Sequence, residues 1–122
     1  MSRDKASRDK ASLLDIVSAI RRVLQFAEEI DKSALEINEE KQSAIFYQVI
    51  VMGEAVKRLS AEFRSQHSEV PWREIAGMRD ILTHHYDRVN LDTLWDVIQT
   101  DIPELLGLLE PLLPDPDEME NE

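Results

Sequence analysis

Apolar residues recur along most of the chain at intervals of three and four, a spacing that predicts amphipathic α-helices. The first such segment has Ser12 and Asp15 at its start, which are favourable there as an N-cap and as a first-turn acid. We therefore predict a first helix that begins at Ser12. Its apolar face consists of Leu13, Ile16, Val17, Ile20, Val23, Leu24, Ala27 and Ile30.

A second helix is predicted after the polar segment EIDKSALEINEEK, ending near His67. Its apolar positions alternate steps of four and three, which resembles coiled-coil packing against a neighbouring helix. Gly53 lies inside this helix at a cost of about 1 kcal/mol relative to alanine. A glycine there suggests close approach of another backbone, and we include it among the reasons to expect a dimer. The seam consists of Ile45, Val49, Met52, Val56, Leu59 and Phe63.

Two further helical patterns complete the chain. Pro71 suits the first turn of a third helix, whose inward residues are predicted to be Trp72, Ile75, Met78 and Leu82. Pro103 interrupts the last pattern and removes a backbone donor, so we predict a kink or a split there. No segment alternates with period two. The fold class is therefore all-α, an antiparallel bundle of four or five helices. The last pattern consists of Leu91, Leu94, Trp95, Ile98, Ile102, Leu105, Leu109 and Leu112.

The two ends of the chain differ from this pattern. The sequence SRDKA occurs at 2–6 and again at 7–11, with no apolar face, so residues 1–11 are predicted to form a polar tail or a frayed helical extension. Residues 114–122, PDPDEMENE, are acidic and contain two prolines, which favours disorder. Residues 12–113 then form one domain, a size that allows one core.

The chain has a net charge of −11, which by itself argues against a nucleic-acid partner. The charge is uneven, however. Residues 57–88 contain six Lys or Arg against five Asp or Glu, together with all three histidines. This is the least acidic long segment, and it weakly indicates a local anion site on an acidic protein.

Several classes of site and location are disfavoured by the residues present. The chain has no cysteine, so disulfides and cysteine-based zinc sites are excluded. No Glu-x-x-His pair or Gly-rich phosphate loop occurs, and we predict neither metal nor cofactor. The N-terminal segment does not resemble a signal peptide, and no apolar run reaches the roughly 20 residues needed to span a bilayer. We expect a cytoplasmic protein with no membrane partner.

The sequence RDILTHHY, residues 79–86, contains the side chains best suited to catalysis or ligand binding. Arg79 can stabilise charge on phosphate oxygens, His84 can transfer a proton near neutral pH, and Tyr86 can donate a hydrogen bond or stack on a base. On a regular helix His84 lies about 140° from Arg79. The groups therefore need a helix end near Thr83, or a second chain, to act on one target.

A purely structural explanation of this stretch is also open, because Arg, His and Tyr near a helix end often cap carbonyls or form interfaces. Glu54, in the sequence GEA, is equally compatible with a site residue and with a solvated carboxylate. His67 is expected at the surface. His84 and His85 are adjacent and have no further obvious ligands, which disfavours a metal site.

Three segments, MGEAVKRLS, VPWREIAGMRDILTHHYD and LDTLWDVI, resemble the HepT-like proteins of the HEPN superfamily over roughly residues 13–109. The family pattern Arg-x4-His-x-Tyr is matched by Arg79, His84 and Tyr86. Asp80 follows the arginine, where many relatives have asparagine, so phosphate affinity can differ here. His85 occupies the variable position and stays a candidate.

The resemblance implies an all-α symmetric homodimer that acts as a metal-independent endoribonuclease. Such proteins are typically toxins of toxin–antitoxin pairs whose antitoxin is a minimal, MntA-like nucleotidyltransferase. Arg79 would stabilise the phosphate, His84 would act as general base or acid, and Tyr86 would position RNA or accept AMP from the partner. Asp80, His85 and Glu54 would be auxiliary, and cleavage would pass through a 2′,3′-cyclic phosphate.

Two other hypotheses remain. The chain can be a catalytically silent HEPN module that binds a nucleotidyltransferase as an assembly partner. It can also be a plain helical interaction protein, which its acidic charge favours and which would bind no RNA at any salt concentration.

Overall fold

A computed structural model of the chain describes residues 2–114, with side chains from residue 4 onward. The helices are α1 (Ser2–Glu28), α2 (Lys32–Ile37), α3 (Glu39–Arg58), α4 (Ala61–Gln66), α5 (Trp72–His84), α6 (Leu91–Asp96) and α7 (Ile102–Leu109). Within residues 2–114 there is no strand, which confirms the all-α prediction. Residues 115–122, most of the predicted acidic tail, lie outside the described residues.

Helices α1 and α3 run antiparallel. Near one end, Arg58 Nη2 lies 3.2 Å from Asp15 Oδ2, and at the other end Lys41 forms an ion pair with Glu29. The core lies between these two helices, α5 and the C-terminal helices. Short α2 contributes to it as well, because Leu35 is completely buried while Ile37 is exposed. The fully buried large side chains include Leu13, Ile16, Ile20, Leu35, Ile45, Met52, Ile98, Ile102 and Leu109.

The start predicted at Ser12 is ten residues too late, because α1 extends back to Ser2, which agrees with the alternative of a helical extension for the SRDKA copies. Asp9, in the second SRDKA copy, is buried and accepts hydrogen bonds from the backbone N of Ser60 at 2.8 Å and from its Oγ at 2.7 Å. Ser60 Oγ in turn accepts from Phe63 N at 3.1 Å as the N-cap of α4. A polar segment without an apolar face is thus part of the helix because one carboxylate binds a helix start 51 residues away.

The prediction of a single helix across Ile45–Phe63 is wrong, because the helix is interrupted at Leu59 and Ser60. The chain leaves helical geometry at Leu59, where ψ is 142°, and restarts as α4 after Ser60. The apolar seam continues through the break because Leu59 is buried and Phe63 packs against the core. The predicted end near His67 is confirmed for α4, whose C-cap is His67.

The two copies of SRDKA provide a matched test of this interaction. Asp9→Ala removes the acceptor of two hydrogen bonds, so we expect it to lower the free energy of unfolding by about 1–3 kcal/mol. Asp4→Ala makes the same change at the equivalent, exposed position of the first copy and should alter stability by less than about 0.5 kcal/mol. Urea denaturation followed by circular dichroism measures both, and equal effects would contradict the role of Asp9.

Gly53 permits the closest packing of α3 on α5. A Cβ atom at this position would lie 2.2 Å from Arg79 Cβ and 3.3 Å from the Ile75 carbonyl oxygen. The Phe46 and Tyr86 rings, further along, meet with centroids 6.0 Å apart, so α3 and α5 are also antiparallel. The predicted approach of another backbone is confirmed, but the backbone belongs to α5 of the same chain. Gly53 therefore gives no support for a dimer.

The split predicted at Pro103 is confirmed in the C-terminal segment. A π-helical stretch, Val97–Asp101, separates α6 from α7, and Pro103 lies in the first turn of α7. Proline has no N–H to donate to the preceding turn, and a wider turn accommodates the missing bond. None of the helices among residues 2–114 is both long and apolar enough to span a membrane.

Candidate functional site

The end of α5 determines where the RDILTHHY side chains lie. The helix ends at His84, and His85 N donates to the Ile81 carbonyl oxygen at 2.7 Å as the C-cap. A single 3₁₀ turn, Tyr86–Arg88, follows. The predicted end near Thr83 is thus confirmed to within one residue. Tyr86 leaves the helical path, so its direction no longer follows from its spacing to Arg79.

Arg79 is bound to two carboxylates. Its Nε atom donates to Glu54 Oε1 at 2.5 Å, and its Nη1 atom donates to Asp80 Oδ1 at 3.0 Å. Lys57 Nζ donates to the same Asp80 oxygen at 2.8 Å. The Arg79 side chain is only 22% exposed, because α3 covers its base at Gly53. The network positions the guanidinium at the edge of the α3–α5 contact.

The charges of this network reinforce one another. The hydrogen bond from Lys57, followed by the one from Arg79, holds the pKa of the Asp80 carboxyl below its ordinary value. The hydrogen bonds to Asp80 and then to Glu54 raise the pKa of Arg79 above its already high ordinary value. Arg79 is therefore a permanent cation with two of its edges occupied, and it retains further N–H donors for an anion.

The two adjacent histidines are both exposed on the last turn of α5 and its cap. Neither imidazole forms a hydrogen bond or an ion pair with any residue in the described part of the chain. His84 is therefore accessible to a bound molecule. No hydrogen bond joins it to Arg79 within one chain, so convergence of the two groups with help from a second chain stays a prediction.

Tyr86 is 64% exposed, which is high for an aromatic residue. Its ring meets the buried Phe46 ring edge-on, with an interplanar angle of 90°. No protein group among residues 2–114 accepts a hydrogen bond from its hydroxyl. The alternative in which a buried Tyr86 caps a carbonyl is therefore wrong for the single chain, and the phenol is accessible to another molecule.

The structure brings together Arg79, Asp80 and Glu54 of the residues predicted for the site, and it adds two that the sequence analysis missed. One is Lys57. It lies three residues after Glu54, so both side chains are on one face of α3, and this spacing could have indicated that Lys57 is near the site. Phe46 is the other, and nothing in its local sequence distinguishes it from a core residue.

No group of three or more His, Asp or Glu side chains within residues 2–114 is arranged to hold a metal ion. Whether the activity needs a metal or another cofactor stays a prediction to be tested by chelation.

Comparison with known proteins identifies the family. The family model described as "Ribonuclease HepT-like" matches residues 16–112. The chain is 38% identical over 103 residues to "Probable ribonuclease HepT" of Thermococcus cleftensis, covering 84% of this chain and 94% of the relative. It is 33% identical over 109 residues to "Putative RNase MJ0125" of Methanocaldococcus jannaschii, covering 89% and 94%. No solved structure gives a significant match. This chain belongs to the ribonuclease HepT-like family.

Proposed function

We propose that the chain is a metal-independent endoribonuclease, the toxin of a toxin–antitoxin pair in the cytoplasm. The observation that carries this proposal is the arrangement at the end of α5. There Arg79 is permanently charged and is oriented by Glu54 and Asp80. His84 lies five residues further along, where it is exposed and has no hydrogen-bond or ion-pair partner within residues 2–114. The relatives named as ribonucleases support RNA as the substrate class.

The proposed reaction uses the nucleophile that RNA itself carries. His84 accepts the proton of a ribose 2′-hydroxyl as that oxygen attacks the adjacent phosphorus. The free N–H groups of Arg79 stabilise the negative charge on the phosphate oxygens. The bond to the 5′ oxygen breaks, that oxygen takes up a proton, and the products end in a 2′,3′-cyclic phosphate and a 5′-hydroxyl.

Two acid–base groups are needed for this sequence, one to accept a proton and one to donate it. A symmetric homodimer that places two copies of His84 in one cleft would supply both. The exposure of His84 and Tyr86 on the single chain leaves them available to such a cleft. In this arrangement Glu54 and Asp80 are positioning residues, because they contact Arg79, and His85 is auxiliary.

A second function stays open because of the same network. The carboxylates of Glu54 and Asp80 each accept a hydrogen bond from Arg79, so they compete with phosphate for its N–H groups. This observation favours a catalytically silent module that assembles with a nucleotidyltransferase. The two functions differ in whether the purified chain cleaves RNA.

The test is an assay of the purified chain on single-stranded RNA in the presence of EDTA. We expect cleavage to continue with the chelator and to yield cyclic phosphate ends, on a sample whose mass by light scattering is that of a dimer. Complete loss with EDTA would rule out metal independence, and no cleavage under any condition would favour the silent module. A monomeric mass at micromolar concentration would contradict the two-histidine cleft.

Control by an MntA-like nucleotidyltransferase is proposed to act through Tyr86, whose phenol is exposed two residues beyond His84. Transfer of AMP to this oxygen, with release of pyrophosphate from ATP, adds about one negative charge and a base-sized group next to the cleft. We expect incubation with the antitoxin and ATP to add the mass of AMP to Tyr86 and to stop cleavage.

Intact-mass spectrometry and the cleavage assay measure these two effects on one sample. Tyr47 is a matched control, because it is also exposed, at 62%, but lies outside the motif. Tyr86→Phe should prevent the adduct, whereas Tyr47→Phe should not. An adduct that leaves cleavage unchanged, or no adduct on Tyr86, would leave occlusion by the partner as the mode of control.

A further inference from the structure

An open groove of about 980 Å³ lies between α5 and α4, beside the Arg79 network. Arg73, Gly77 and Asp80 line it from α5, Arg64 lines it from α4, and Lys57 lines it from the last turn of α3. The groove therefore begins at the Asp80–Lys57 pair and extends away from it toward the start of α5.

Arg64 and Arg73 are cations without an ion-pair partner in the described part of the chain. In addition, Arg64 Nε is buried and forms no hydrogen bond with residues 2–114. Most other basic side chains on this acidic protein are paired, as Lys57 is with Asp80. The groove is lined by three Lys or Arg and three Asp or Glu side chains, and Arg64 and Arg73 are the two bases whose guanidinium groups stay available to a ligand.

The acidic side chains of the groove form no hydrogen bond or ion pair with these two arginines within residues 2–114. Asp80 is bound to Lys57 and Arg79. Glu69 lies 3.8 Å from His67 Nδ1. Glu74 follows Arg73 on α5 and lines both this groove and a second, mostly apolar pocket of that helix. The groove is therefore open to an external anion at Arg64 and Arg73.

The α5 residues that line the groove are on the same face of the helix as His84, the proposed general base. Arg73, Gly77, Asp80 and His84 are spaced by four, three and four residues, so they share one face of the helix. Arg73 and His84 are about 16 Å apart along the axis. A ligand in the groove that continues along this face reaches His84.

Gly77 is on this face and has no side chain that could block a ligand in the groove. A Cβ atom there would meet nothing within 4 Å, so the packing of α5 does not require glycine. Glycine destabilises a helix interior relative to other residues. A glycine with no packing role, on the floor of a groove with two unpaired arginines, is consistent with close passage of a ligand backbone.

We propose that this groove binds the single-stranded RNA flanking the scissile phosphate, with Arg64 and Arg73 on its phosphates and its backbone passing over Gly77 toward His84. This inference rests on the proposed ribonuclease function. It adds a second part to the site, which extends from the Arg79 network toward the start of α5, and it gives a chain of net charge −11 two unpaired guanidinium groups that can contact phosphates.

The first test measures binding separately from cleavage, by adding His84→Ala to every protein so that the RNA stays intact. Arg64→Gln/Arg73→Gln should weaken binding of single-stranded RNA about tenfold or more at low salt. It should also reduce the slope of log Kd against log salt by about 1.4, which is 0.7 for each lost phosphate contact. Arg22→Gln, at an exposed arginine of α1 without an ion pair among residues 2–114, is the matched control and should change neither quantity.

The second test uses Gly77→Gln, with Gly107→Gln as its control, because a Cβ at Gly107 also meets nothing within 4 Å and α7 is not part of the groove. Both changes should raise the melting temperature, and only Gly77→Gln should weaken RNA binding. A merely structural role for Gly77 would not produce this difference.

Unchanged binding and salt slope in the double arginine variant would overturn the proposed groove, even if the wild type cleaves RNA. The same holds if the variants change only the dimer mass or the affinity for a protein partner. If the wild-type chain neither binds nor cleaves RNA at any salt concentration, the proposed ribonuclease function fails, and the groove with it. Cleavage that persists while only the groove variants lose affinity would support both.

Discussion

His84→Ala should reduce RNA cleavage about 10²–10⁴-fold, which is the usual contribution of a general acid or base, and should abolish toxicity to growing cells. Arg79→Ala should reduce it by about 10²–10³-fold by removing donors to the phosphate. Neither variant should lose helical content. His84 is exposed, and alanine retains the Cβ of Arg79 that packs on Gly53.

Adjacent residues separate catalysis from structure in this experiment. His85→Ala changes a neighbouring, equally exposed imidazole and should retain most of the activity. Arg79→Lys preserves the charge but not the planar donors, so it should resemble alanine more than the wild type. Single-turnover rates on a defined RNA, together with circular dichroism, give these results. Full activity in His84→Ala would refute the mechanism, and equal losses at both histidines would assign a catalytic role to His85.

Gly53→Ala should lower the free energy of unfolding by about 1–3 kcal/mol, the typical cost of overpacking a core contact. Alanine is the better helix former by about 1 kcal/mol, so the change would stabilise an isolated helix. In the folded protein its Cβ would lie 2.2 Å from Arg79 Cβ and 3.0 Å from Arg79 Cγ, which forces α3 and α5 apart. The displacement of Arg79 should also reduce cleavage.

A double-mutant cycle tests whether that clash is the cause. In an Arg79→Gly background the obstructing Cβ is absent, so Gly53→Ala should cost much less there than in the wild type. Gly107→Ala, which adds a Cβ in open space, should be stabilising by up to about 1 kcal/mol. Equal costs of Gly53→Ala in both backgrounds, measured by urea denaturation, would exclude the Arg79 contact as the origin.

Much of the candidate site followed from local pattern. Arg79, His84 and Tyr86 were identified by residue type and spacing, and the helix end that separates them was one of the two arrangements that the geometry left open. The partners of Arg79 were only partly predictable. Glu54 was one of two equal possibilities, and Lys57 was missed, because a carboxylate and an arginine 25 residues apart meet only once α3 and α5 pack.

The sequence by itself determined the all-α class, the apolar faces of the long helices, the split at Pro103 and the close approach at Gly53. These features depend on side-chain periodicity, on the missing N–H of proline and on the missing Cβ of glycine, which are local properties of the chain.

Only the tertiary structure decided the start of α1, the break between α3 and α4, and which backbone approaches Gly53. Each of these depends on contacts between residues far apart in sequence. Asp9 is drawn into a helix because Ser60 needs an acceptor, and Gly53 faces Arg79 of its own chain and not a second copy. Helix propensity differs by only a fraction of a kcal/mol between ordinary residues, so one buried hydrogen-bonded carboxylate, at about 1–3 kcal/mol, contributes as much as the propensities of several residues.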